Sequence, residues 1–200
     1  VLLTRLTFQN NAGTADLKHQ TDWRGYHPHD LPAGVTLMSA FIESFAYPDA
    51  ISTAFGATVG TVAGGVGQLA LIDATYLSVQ EAAANPGIVL TLDIPVPGAV
   101  SELAITGRYT GSGSHQVRIY VYNHTTLTWA FFSNITRKAS TDGTTYINLT
   151  DVDYRSGGYV HVQFLHSSAN GNTGHYLYLD RVEAKYAAQA SFEPTQLPVS

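Results

Sequence analysis

One run constrains the fold more than any other. From Gln116 to Asn123 the chain reads Gln-Val-Arg-Ile-Tyr-Val-Tyr-Asn. Val117, Ile119 and Val121 share one parity; Arg118, Tyr120 and Tyr122 share the other. Strict period-two alternation is the pattern of a strand with one face in a core and one face out. A polar break at 123–126 leads to a second β-rich run around Trp129, with Gly, Ser, Asn and Thr supplying turn chemistry on both sides. The pair reads as a hairpin inside an antiparallel sandwich.

The same grammar repeats downstream. Strands are expected near Leu69–Thr75, Tyr76–Glu81, Ile88–Ile94, Ser101–Tyr109, Gln116–Asn123, Thr128–Ser133, Thr144–Leu149, Tyr159–His166 and Gly174–Tyr186. Turn signals separate them, among them Asn85-Pro-Gly87, Pro95-Val-Pro-Gly98, Gly111-Ser-Gly113, Asp142-Gly143 and Ser156-Gly-Gly158. Eight or nine short strands at this spacing mean a sandwich or barrel. Alternation predicts a core of Ile88, Leu90, Leu92, Leu103, Ile105, Val117, Ile119, Val121, Trp129, Phe131, Ile147, Leu149, Val160, Val162, Phe164, Leu177, Leu179 and Val182. Leu177 and Leu179 have opposite parity to Val182, which predicts a β-bulge between Leu179 and Val182.

Residues 1–66 follow a different pattern. Val1–Phe8 suits one strand. Asn10–Pro32 is polar and turn-rich. Leu37–Ala46 fits either a short helix or a strand ending before Pro48. Ala54–Gly67 is almost all Gly, Ala, Val and Thr, the composition of a thin connector. The expected division is an N-terminal arm and connector over 1–66, a sandwich over 67–187 and a tail over 188–200. Leu37, Phe41, Phe45 and Tyr47 are the arm's candidate assembly contacts, since an arm this thin needs an apolar partner outside itself. The chain starts Val-Leu-Leu without Met, so a processed start is expected.

Composition narrows the chemistry. Charged residues are 12% of the chain, the net charge is −5, and no run of like charges occurs, so a nucleic-acid partner is not expected. There are no cysteines, which excludes disulfides and thiolate metal sites. No apolar run reaches about 18 residues, so no membrane span is expected. Gly65-Val-Gly-Gln-Leu-Ala70 imitates a dinucleotide fingerprint but leads into a β-rich run and not a helix. His27 and His29 with Asp30 lack a visible third ligand. His115, His166 and His175 each flank a strand end beside a Gly- or Ser-rich loop. If those ends are neighbours they form a cluster at one rim, read here as hydrogen bonding and not as a metal or catalytic site. Asp151 and Asp153 sit too close in sequence to be a glycosidase pair alone. No cofactor, metal or enzymatic activity is expected.

The outward positions carry one further signal. Arg118, Tyr120 and Tyr122 project opposite the core on their strand, and Tyr159, His161 and Gln163 do so on theirs. Aromatic and planar polar groups together suit sugar stacking and hydroxyl recognition, or a subunit interface.

Residues 68–186 resemble the jelly-roll, galactose-binding-like domain of tailed-bacteriophage virion proteins. The resemblance is carried by Gly107-Arg-Tyr-Thr-Gly-Ser with His115–Asn123, by Thr126-Leu-Thr-Trp129, by Tyr159-Val-His-Val-Gln-Phe-Leu-His166, and by His175-Tyr-Leu-Tyr-Leu-Asp180. Carbohydrate-binding modules share much of this pattern. The resemblance implies an all-β protein, an antiparallel jelly-roll β-sandwich with an extended N-terminal arm. It implies a non-enzymatic virion structural protein assembled in the host cytoplasm. A capsid decoration (cement) protein comes first, and a tail or baseplate component or a secreted carbohydrate-binding module is the alternative. The implied partners are other virion proteins, further copies of the chain (a trimer would match three-fold lattice positions) and a cell-surface glycan.

Overall fold

The computed structural model describes residues 6–7, 41–166 and 171–189. Leu37, the turn with His27 and His29, and the tail from residue 190 lie outside the described residues. In the first of two compact units, strand β1 (Leu6–Thr7) pairs antiparallel with Phe41–Ile42 at the start of β2 (Phe41–Ala46). The Leu37–Ala46 stretch, open between helix and strand, is thus a strand from Phe41 onward.

The second unit, residues 44–188, is a β-sandwich. Its strands are β3 (Ala50–Ile51), β4 (Thr61–Ala63), β5 (Leu77–Gln80), β6 (Val89–Pro95), β7 (Ala99–Tyr109), β8 (Val117–Asn123), β9 (Thr128–Asn134), β10 (Gly143–Asn148), β11 (Tyr159–His166) and β12 (Tyr176–Gln189). A single helical turn, α1 (Asp151–Tyr154), precedes β11. Within this unit one sheet runs β10–β7–β12–β5–β4 and the other β3–β6–β11–β8–β9, all antiparallel. From β5 to β12 every link crosses between sheets except the β8–β9 hairpin. That alternation is the jelly-roll path, and it closes one core between the two inner faces.

The core is almost the expected one. Leu90, Leu92, Leu103, Ile105, Val117, Ile119, Val121, Val162, Phe164, Leu177 and Leu179 are fully enclosed, with Leu69, Leu77, Val79 and Ile94 added. The expected bulge is present. Leu179 faces Gly107 and Arg181 faces Thr106, so Asp180 is the extra residue, and Val182 returns to the core at 0% exposure.

Two expectations are corrected. Trp129 and Phe131 are not core residues. Trp129 lies opposite Tyr122 and Phe131 opposite Tyr120, and directly paired residues share a sheet face. Both rings are therefore on the outer face, and Phe131 is 51% exposed. A register shift between Ile119 and Tyr120 then places Phe132 against the core. The strand expected over Leu69–Thr75 is instead a 3-10 turn (Val66–Leu69) and a loop. Leu69 is buried, whereas Leu71 and Ile72 point to solvent, so the apolar run never had two faces to satisfy. The Gly/Ala-rich stretch Ala54–Gly67 holds β4, which pairs with β5, and Val59, which bridges to Val89.

Candidate functional site

The outer face of the β3–β6–β11–β8–β9 sheet gathers the residues that alternation singled out. Arg118, Tyr120 and Tyr122 come from β8, Tyr159, His161 and Gln163 from β11, and β9 contributes Trp129 and Phe131, which sequence parity had sent inward. The pairing register was the missing signal, since only the partner strand reveals which β9 residues share the face.

This face has two parts. Over one, the loop after β3 folds back and lays Phe55 onto the sheet. Its ring centroid is 4.6 Å from Tyr122, 5.0 Å from Trp129 and 4.7 Å from His161. His161 Nδ1 meets Asp93 Oδ1 at 2.6 Å, and its ring lies 5.4 Å from His124. Burial pushes the His124 imidazole below its ordinary range, and His161 adds to the fall. Gln163 is buried and donates to Thr91 Oγ1 at 3.2 Å, which removes it from the set of surface contacts proposed for it. The other part is open. Phe131 is flanked by Tyr120, at 5.7 Å between centroids, and by the exposed Arg118, whose guanidinium sits 5.4 Å from the Phe131 ring centre. Tyr159 is exposed at the far end of β11 and lines a groove of about 610 Å³ with Phe45, Tyr47, Pro95, Pro97 and Tyr186. Of the assembly-contact candidates, Phe45 is 49% exposed at this groove and Tyr47 lines it; nothing is described of the Phe41 side chain.

The strand ends bearing His115, His166 and His175 are indeed neighbours, and they surround Glu81. This carboxylate follows β5 and is 1% exposed. Its Oε2 accepts from the Tyr109 hydroxyl at 2.8 Å and faces His175 Nδ1 at 3.0 Å. Its Oε1 has His166 Nε2 at 2.8 Å and His115 Nδ1 at 3.5 Å, close enough to pair as ions, yet neither nitrogen is aligned for a hydrogen bond and, among the described residues, Oε1 has none. Burial, then the bond to Glu81, raises the Tyr109 phenol far above its ordinary value, so it stays a donor. Burial lowers His166; Glu81 opposes the shift, and His115 and His175 reinforce it. Loop backbone closes over the carboxylate where Gly87 and Gly171 meet. A Cβ at Gly87 would lie 2.6 Å from Glu81 Cγ, and one at Gly171 would collide with the Ala82 carbonyl.

No protein-family model matches the chain, and no curated protein matches it. Among solved structures the chain is similar to a xylan-binding module, CBM15, at 13% identity over 76% of this chain and 100% of that one, with a TM-score of 0.44. It is similar to a family 35 carbohydrate binding module from an environmental isolate at 11% identity, covering 78% and 99% respectively, with a TM-score of 0.41. It is also similar to TmCBM61 in complex with beta-1,4-galactotriose at 10% identity, covering 74% and 88%, with a TM-score of 0.40. At identities of 10–13% none of them assigns a residue role here.

Proposed function

We propose that the chain is a non-catalytic glycan-binding β-sandwich that engages sugar through the open part of its outer sheet face. One observation carries this reading: Phe131 stands exposed between Tyr120 and Arg118 on a rigid sheet. A flat ring presents an apolar platform for the C–H face of a pyranose. The adjacent phenol and guanidinium supply donors for ring hydroxyls without a charge that must be desolvated deeply. Sites built on strands hold such groups in fixed geometry. The test is affinity electrophoresis of the full chain through gels loaded with soluble plant and bacterial polysaccharides. A polysaccharide that retards the wild type is expected to lose at least about tenfold in affinity with Phe131→Ala, equivalent to about 1.4 kcal/mol. Retardation by none of the panel, or equal retardation of the variant, sinks the reading.

A second reading, a virion structural protein that docks to neighbouring subunits, draws support from the half-exposed Phe45 beside the Tyr47–Tyr159–Tyr186 groove. Light scattering on the purified chain tests it. A defined oligomer that Phe45→Ser dissociates supports it, and a monomer at every concentration counts against it.

A further inference from the structure

We propose that Glu81, His115 and His175 form a binding site for a divalent transition-metal ion of the zinc type, with His166 and Tyr109 orienting the carboxylate. The site lies at the loop rim and is separate from the sheet face.

The donor atoms already converge. One ligand atom from each of Glu81, His115 and His175 lies within 4.8 Å of the other two. His175 Nδ1 lies 3.0 Å from Oε2 and His115 Nδ1 lies 3.5 Å from Oε1, so the two imidazoles flank the two oxygens of one carboxylate, and small side-chain shifts bring three donors to the bonds of about 2.0–2.1 Å that such an ion takes. Two imidazoles with one carboxylate is a set that suits zinc, cobalt, nickel or copper, whereas calcium and magnesium call for oxygen throughout. Three protein ligands leave the fourth position open, and His115 and His175 are both partly exposed, which provides entry from solvent.

The unsatisfied oxygen points the same way. Glu81 is enclosed, and the groups described around its carboxylate are three imidazoles and a phenol. A buried carboxylate needs both oxygens satisfied, yet among the described residues its Oε1 has no aligned hydrogen bond. A cation would satisfy it directly. The remaining contacts are those that orient a metal-bound carboxylate. Tyr109 holds Oε2 from behind. His166 takes the Gly87 amide at Nδ1, at 3.3 Å, so its Nε2 carries the proton and His166 serves as a donor and not as a ligand. That proton now points at His115 Nδ1, 3.1 Å away. Once His115 commits its lone pair to a metal, the same N–H has Glu81 Oε1 within reach at 2.8 Å.

The test titrates dialysed full-length chain with Zn²⁺ by calorimetry and with Co²⁺ as a spectroscopic probe. The wild type should bind one more equivalent of Zn²⁺ than the double variant His115→Gln/His175→Gln, whose fold is checked by circular dichroism. Tyr109→Phe and His166→Gln should weaken that equivalent by about 10–100-fold and still leave it saturable. Should the double variant fail to fold, proton NMR of the wild-type Co²⁺ complex decides. Two imidazoles bound through Nδ1 give two solvent-exchangeable, paramagnetically shifted N–H signals. Three such signals would make His166 a ligand and overturn the donor set. No saturable Zn²⁺ binding, or superimposable isotherms for wild type and double variant, would overturn the site itself.

Discussion

Asp180 Oδ1 accepts the amide of Ala74 at 3.1 Å, across 106 residues of chain. The same oxygen takes the Asp73 amide at 3.3 Å. The bulge on β12 makes this possible, because it turns one residue out of the alternation and buries Asp180 to 1% exposure next to the loop before β5. Ala74 sits at φ +62, a left-handed conformation that a non-glycine residue holds only when its surroundings fix it. Asp180→Ala should therefore cost about 2–3 kcal/mol, the loss of two charge-assisted bonds with amides left behind. Asp180→Asn should cost less, since its amide oxygen can still accept. Urea denaturation reads both, and a shift under about 0.5 kcal/mol for the alanine variant would count against the tether.

That bulge was legible in the sequence because parity is a local property: two leucines and a valine two faces apart demand an extra residue. The core strands were legible for the same reason, and so was the outward set Arg118, Tyr120 and Tyr122. Trp129 was not. Its parity is readable only against β8, and hydrophobicity alone sends a tryptophan inward. Phe55 was invisible too, since nothing in a Gly/Ala/Thr-rich stretch says that its one ring will cross three strands. The rim histidines could be marked as strand-end residues, but their meeting around Glu81 depends on four chain segments brought together by the jelly-roll path.

Phe55 covers Trp129 on the outer face, which gives a fluorescence signature. Phe55→Ala should expose the indole, shift emission to the red and increase acrylamide quenching. The stability loss should stay near 1–2 kcal/mol, because a half-buried ring on a sheet surface gives up area and edge-on aromatic contacts but leaves no sealed cavity. Trp23→Phe in the same background assigns the signal to Trp129. Unchanged emission, or a loss near the 3–5 kcal/mol typical of an emptied core, would place Trp129 elsewhere.

His124 gives a pH dependence with a definite sign. Its backbone amide is fixed by the Asp153 carbonyl at 2.6 Å, and its Nε2 is enclosed with no hydrogen-bonding partner among the described residues. The groups facing it are Tyr122, at 5.0 Å between rings, and His161, which is itself paired with Asp93. Burial, then repulsion from His161, lowers its folded-state value below about 6.5, where the unfolded imidazole titrates. Between those two values the unfolded chain holds a proton that the folded chain does not. Stability must then rise with pH across that window. His124 contributes no penalty above about 6.5, takes stability away as pH falls toward its folded value, and levels off below it. Proton–nitrogen NMR should show the His124 ring titrating below 6.5, and His124→Phe should flatten the acid side of the urea-midpoint profile relative to wild type. A midpoint at or above 6.5, or an unchanged slope in the variant, would mean that the enclosed nitrogen carries its proton after all.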